Sequence, residues 1–126
     1  MRSGFEKKLW EELQADLGDL VEYENPERRL SYVQPSKSRT YNPDFTFKRS
    51  PVILEAKGKL TREERSKLQW IKKHNPDADI RLVFQRDNKL TKRPGSMRYT
   101  DWAHKHGFPC AVGSVPKEWI HEILET

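Results

Sequence analysis

Apolar positions recur along the chain with a spacing that changes from helical to extended and back. Phe5, Leu9, Leu13, Leu17 and Leu20, with Trp10 beside them, follow a helical period, and Ser3 and Glu6 have the spacing of a capping box. The first element is therefore predicted to be a helix, weakened at Gly18. Short extended segments are expected around residues 20–23 and 30–34, separated by the polar turn Glu24-Asn25-Pro26-Glu27, and residues 35–40 read as a basic polar loop. From residue 44 to 47 the pattern alternates, with Asp44 and Thr46 on one face and Phe45 and Phe47 on the other, until Lys48-Arg49-Ser50-Pro51 turns the chain. Residues 52–57 form the second arm of this hairpin, with Val52, Leu54 and Ala56 on one face and Ile53, Glu55 and Lys57 on the opposite one, ending at Gly58.

Thr61 and Glu64 repeat the capping-box spacing and open a helix through Leu68 and Ile71 that Asn75-Pro76 terminates. A strand is expected at 80–84, a loop at 85–95, a short helix at 99–106 stopped by Gly107, a strand at 108–112, and a closing amphipathic helix after Pro116. Helix, a run of strands, then alternating helices and strands implies a mixed sheet flanked by helices, an α/β fold.

Composition narrows the classes of function. The 126 residues, 34% of them hydrophobic, suffice for one modest core, so residues 1–126 are expected to form a single domain. Lys and Arg exceed Asp and Glu by 24 to 19, a net charge of +5 that favours a polyanionic partner such as nucleic acid. The lone Cys110 can make no internal disulfide, which suits a reducing compartment, and no apolar run approaches the ~20 residues needed to cross a bilayer. A cytoplasmic protein without a membrane partner is expected. The four histidines lack zinc-ligand spacing, and there is no phosphate-cradling glycine loop or nucleophile motif.

The stretch that carries chemistry is Pro43-Asp44, ten intervening residues, then Glu55-Ala56-Lys57. Glu55 and Lys57 share a strand face roughly 7 Å apart, and Asp44 on the paired arm can converge with Glu55 on one cation. Magnesium takes hard oxygen ligands and keeps several waters, so two carboxylates and a substrate phosphate suit it; an ammonium such as Lys57 beside the ion can orient the attacking water or stabilise the pentavalent phosphorus. So short a pattern also recurs by chance, and an acid near a lysine on a strand is more often a solvated pair. Glu6 falls inside the apolar arc of the first helix, where it is either a cap residue or a ligand. The basic residues Lys37, Arg39, Lys48, Arg49, Lys59, Arg86, Lys89, Lys92 and Arg93 are candidate phosphate contacts, and equally ordinary surface.

Arg2-Ser3-Gly4-Phe5-Glu6, Tyr41-Asn42-Pro43-Asp44-Phe45 and Leu54-Glu55-Ala56-Lys57-Gly58 resemble bacteriophage endonuclease I, the Holliday-junction resolvases of short-tailed phages within the PD-(D/E)xK nucleases. The likeness continues in order through His74-Asn75-Pro76, 80–84, 104–107 and 116–120. The resemblance implies a catalytic set of Glu6, Asp44, Glu55 and Lys57, with the Ala56 carbonyl as a further ligand to Mg2+ and Mn2+ able to substitute. It also implies a restriction-endonuclease-like fold in an intertwined homodimer, with residues 1–34 exchanged between subunits, acting on four-way junctions and other branched DNA in an infected bacterial host. The alternatives are another DNA endonuclease of the same superfamily, sequence-specific, nicking or transposition-associated, and a non-catalytic DNA-binding module.

Overall fold

A computed structural model describes residues 3–35 and 37–125 and, at Lys37, the backbone alone. Helix α1 spans Gly4–Leu17; the Ser3 hydroxyl caps it by accepting from the Glu6 N–H, and Phe5, Leu9, Leu13 and Leu17 are its buried stripe. It ends at Gly18, whose φ of 56° is the left-handed conformation that glycine adopts without a Cβ penalty. A 3-10 turn over Gly18–Leu20 leads into β1 (Val21–Tyr23), and a second, over Pro26–Arg28, precedes β2 (Leu30–Gln34). Then follow β3 (Lys37–Tyr41), β4 (Phe45–Phe47), β5 (Ser50–Lys57), α2 (Arg62–His74), β6 (Asp79–Phe84), α3 (Tyr99–Lys105), β7 (Cys110–Val112) and α4 (Lys117–Glu125).

Five strands form one mixed sheet in the order β1-β4-β5-β6-β7. The β1, β4 and β5 pairings are antiparallel, and β5, β6 and β7 run parallel. On one side of the sheet Leu9 and Leu13 of α1 and Ile120 and Ile123 of α4 pack with Phe47, Val52, Leu54 and Val83. On the other, Leu68 and Ile71 of α2 and Trp102 of α3 pack with Ile53, Ile80, Leu82 and Phe84. Strand β5 is thus covered on both faces, which its run Val52-Ile53-Leu54 satisfies as a parallel-sheet interior requires. Across this sandwich Arg81 joins Asp79 of its own strand to Glu122 of α4, both at 2.8–2.9 Å. Lys8 of α1 donates to the Gly113 carbonyl at 2.9 Å, and Lys117 of α4 pairs with Asp16.

The basic stretch expected to be a loop at 35–40 is mostly strand. β3 pairs antiparallel with β2 from Gln34↔Lys37 to Leu30↔Tyr41, as a separate two-stranded sheet. Among its described residues only the two inward rings, Tyr32 and Tyr41, are buried, so the hairpin carries little apolar patterning. It is propped against α2, where the Asn75 side chain donates to the Ser31 carbonyl. The turn expected at 48–51 is tighter, because Ser50 already pairs with Phe47; Pro51 follows a register shift between Thr46 and Phe47, where the ladder is irregular enough to accept it. Thr46 is as buried as the two phenylalanines flanking it, since the sheet is covered on both sides and alternation loses its meaning. β7 starts at Cys110, later than the expected residue 108. No helix of the described residues is long and apolar enough to cross a membrane.

Candidate active site

The β4–β5 hairpin brings Asp44, at the entry to β4, beside the far end of β5. The Asp44 N–H donates to Glu55 Oε1 at 3.2 Å, and the Ala56 N–H donates to Asp44 Oδ2 at 2.9 Å. Burial and then the charge of Glu55 push the Asp44 carboxyl far above its ordinary range, to about 8; the Ala56 N–H only partly opposes this, and Glu6 adds to the rise. Such a group, short of positive charge, is one that a cation would relieve.

Helix α1 supplies the next acid. The Glu6 N–H is spent on the Ser3 cap at 3.0 Å, while its carboxylate turns inward and accepts from the Tyr23 hydroxyl at 2.7 Å. Tyr23 is held for this by a ring cluster, its centroid 6.0 Å from Trp10 and 5.6 Å from Phe45. Burial, then the bond to Glu6, raises the phenol pKa, so it remains a donor at any working pH. The next residue, Glu24, has a positive φ of 46°, an unusual backbone for a residue with a Cβ. Two bonds hold it there, from the Glu24 N–H to the Asp44 carbonyl at 2.8 Å and from the Asn42 side chain to the Glu24 carbonyl. As a result Glu6, Glu24 and Asp44 each present a carboxylate oxygen, all within 4.8 Å of one another.

Beside this acidic trio lies a paired half. Glu55, only 7% exposed, accepts from the buried Tyr41 hydroxyl at 2.7 Å through Oε1, and its Oε2 sits 3.2 Å from Lys57 Nζ. The same ammonium is hydrogen-bonded to Glu64 Oε2, from the first turn of α2. Burial alone would lower the Lys57 pKa, but Glu55 and Glu64 outweigh it and raise it, which keeps the ammonium charged. For Glu64 burial pulls upward, and the bond to Lys57 prevails and lowers it. Glu55 and Lys57 stand at the carboxyl end of β5, level with the ends of its parallel neighbours, where open α/β sheets place their ligands.

The sequence matches the family described as phage endonuclease I over residues 1–126. The chain belongs to the phage endonuclease I family. It is 34% identical to "Endonuclease I" of Escherichia phage T7 over 121 residues, which cover 96% of this chain and 78% of that protein. To "Endodeoxyribonuclease 1" of Enterobacteria phage T3 it is 31% identical, covering 96% and 77%.

In this member of the phage endonuclease I family, Glu6, Asp44, Glu55 and Lys57 lie in one site, and Glu6 meets Asp44 of its own chain. Ala56 enters through its N–H. Of the candidate phosphate contacts, Lys59 is exposed just beyond Lys57, and exposed Arg86, Lys89, Lys92 and Arg93 ride on the loop that leaves β6 where the Gln85 N–H bonds the Lys57 carbonyl. Arg39 lines an open groove of about 1090 Å³ between the β2–β3 hairpin and α2, which Glu64 also lines. Lys48 and Arg49 are exposed at the opposite end of β5, roughly 20 Å from Glu55 by strand rise, so the structure does not bring them to the site. The Lys37 side chain lies outside the described residues.

Four site residues escaped the sequence reading: Tyr23, Glu24, Tyr41 and Glu64. The spacing Thr61-x-x-Glu64 explains a cap and conceals the bond to Lys57. In sequence Glu24 belongs to a polar turn, and its backbone conformation, invisible there, is what brings its carboxylate to Asp44.

Proposed function

We propose that this phage endonuclease I family member is a Mg2+-dependent, structure-selective endodeoxyribonuclease that hydrolyses phosphodiesters of four-way junctions and other branched DNA. The observation that carries the reading is the adjacency of three converging carboxylates, Glu6, Glu24 and Asp44, to the Glu55–Lys57 pair at one end of the sheet.

The donor set fits a hard divalent cation. Three carboxylate oxygens within 4.8 Å of one another are near enough for side-chain rotations to bring them onto one such ion. Asp44, Glu6 and Glu24 would hold the ion, with Glu55 and the Ala56 carbonyl next to Asp44 on β5; Mn2+, of similar chemistry, would substitute. When bound, the ion lowers the pKa of a coordinated water and offsets charge on the phosphate oxygens. The chain's own residues do the rest. Lys57, charged and anchored, donates to a non-bridging phosphate oxygen as a water oxygen bonds to phosphorus and one bridging P–O bond breaks, the water releasing a proton to solvent and the departing sugar oxygen taking one up to leave as a hydroxyl. Arg39, Lys59, Arg86, Lys89, Lys92 and Arg93 hold the backbone of the arms, and such contacts read shape with little base preference.

Resolving a junction takes two cuts, which favours a homodimer in which residues 1–34 are exchanged. Glu6 would then make its contact with Asp44 of the partner subunit, with the geometry described within one chain. The family setting and the reducing-compartment character of the chain favour action in the cytoplasm of an infected bacterium. The decisive test is cleavage of a four-way junction against a linear duplex of the same sequences, with Mg2+ or EDTA. Metal-dependent cutting confined largely to the junction is expected. Equal cutting of both would indicate a different nuclease specificity, and no cutting under any divalent ion would leave a DNA-binding module.

A further inference from the structure

A polar line crosses the site from the buried Tyr41 of β3 through Glu55 and Lys57 of β5 to the half-buried Glu64 of α2. Tyr41 Oη donates to Glu55 Oε1 at 2.7 Å, Glu55 Oε2 lies 3.2 Å from Lys57 Nζ, and that nitrogen donates to Glu64 Oε2. We infer that Glu64 is a positioning residue of the cleavage reaction, the counter-charge that holds the Lys57 ammonium in place once Glu55 is engaged elsewhere. The inference rests on the proposed role of Lys57 in cleavage and deepens it.

The reasoning starts from the limited capacity of Glu55. One of its oxygens already serves Tyr41 and the Asp44 N–H, and the other serves Lys57. A divalent cation beside Asp44 draws on that same carboxylate and repels the ammonium next to it. Water cannot replace the lost partner well, because the Lys57 side chain is only 12% exposed. Glu64 is suited to the task by its position. It comes from α2, on the opposite side of the sheet from α1 and Glu6, and it is not among the converging acids Glu6, Glu24 and Asp44. Its hold on Lys57 therefore survives when the acids on the other side are occupied. The helix start does not depend on its carboxylate either, since Thr61 Oγ1 accepts from the Glu64 N–H, which any side chain leaves intact. An ordinary surface ion pair would be screened and nearly dispensable, but this one joins a nearly buried lysine that has a task.

The test compares Glu64→Gln, Glu64→Asp, Lys57→Met and the Glu64→Gln/Lys57→Met double variant. Single-turnover cleavage of a four-way junction is measured in Mg2+, junction binding in EDTA, and Mn2+ binding by calorimetry without DNA. Glu64→Gln is expected to slow cleavage roughly tenfold or more, the scale of a misplaced catalytic group, with junction and Mn2+ affinity within about twofold of wild type. Glu64→Asp, which keeps the charge on a shorter arm, should recover part of the rate. In the double variant Glu64→Gln should add nothing to Lys57→Met, because a positioning residue has nothing left to position. A wild-type rate in Glu64→Gln overturns the inference, as does a further tenfold loss in the double variant or a loss of Mn2+ affinity that would make Glu64 a ligand. If Glu64→Gln unfolds, the rate and affinities of Glu64→Asp decide between the same outcomes. A slow Lys57→Met with a normal Glu64→Gln removes only the positioning role; a Lys57→Met that cuts at the wild-type rate removes the proposed role of Lys57, and the inference with it.

Discussion

At the start of α1 the Ser3 hydroxyl accepts from the Glu6 N–H at 3.0 Å; at the start of α2 the Thr61 hydroxyl accepts from the Glu64 N–H at 3.2 Å. The two helix starts share one sequence spacing and one backbone solution. Their carboxylates then go separate ways. Glu6 turns into a negative pocket beside Glu24 and Asp44, tethered by Tyr23, whereas Glu64 reaches the positive Lys57. The cap uses only the backbone N–H of the third helical residue, so the acid there is free to be aimed. One start builds a field that attracts a cation, and the other neutralises an ammonium that a cation held in the first half of the site would repel. Local propensity and long-range chemistry are thus satisfied by different atoms of the same residue.

The largest effect is expected from breaking the α1 half. Glu6→Ala or Asp44→Ala should cut the single-turnover rate by roughly a thousandfold, since each removes a ligand oxygen at which charge is offset, while junction binding in EDTA is retained. Equal losses of rate and affinity would contradict this. A mixed dimer of a Glu6→Ala and an Asp44→Ala subunit extends the test. If residues 1–34 are exchanged, one site collects both lesions, the other survives, and the junction is nicked on one strand. If each site is built within one subunit, the mixed dimer is inactive.

An intermediate effect concerns stability without metal. The folded pKa of Asp44, about 8, lies above its unfolded value. The folded chain therefore holds a proton that the unfolded chain has lost, and the stabilisation is complete below the unfolded pKa and disappears as pH rises through about 8. Asp44→Asn carries no such ionisation. Its melting temperature should exceed wild type in EDTA at pH 8, the difference should close near pH 4, and added Mn2+ should raise wild type alone. A variant that melts below wild type at pH 8 would show that the Asp44 charge is already compensated within the protein.

The smallest effect separates cap from carboxylate. Ser3→Ala and Thr61→Ala should each cost about 1 kcal/mol in urea unfolding, the worth of one helix cap, and slow cleavage far less than Glu6→Ala or Glu64→Gln. A cap variant as slow as its acid variant would mean that the cap itself aims the carboxylate.

These contrasts also mark what the sequence discloses. Helix α1 was legible from Phe5, Leu9, Leu13 and Leu17, although Leu20, which continues their period, lies in the 3-10 turn after Gly18 ends the helix. So were α2, with its Thr61 cap, and the hairpin holding Asp44 and Glu55. The β3 strand was not legible, since Ser38, Arg39 and Thr40 pair by backbone and are exposed. Within the site, adjacency in sequence exposed Glu55 and Lys57. Tyr41 and Glu24 depend on how a hairpin leans on α2 and how one residue adopts a positive φ, which no periodicity encodes.

The bonds between α1 and the distal part of the chain bear on when the core is completed during synthesis. Lys8 reaches the Gly113 carbonyl across 105 positions, and Lys117 reaches Asp16 across 101. Translation at about 5–20 residues per second puts roughly 5 to 20 seconds between the emergence of the two ends of such a contact. Through that interval the apolar stripe of α1 lacks the cover of Ile120 and Ile123, so this side of the core is completed only when the distal part of the chain has been made.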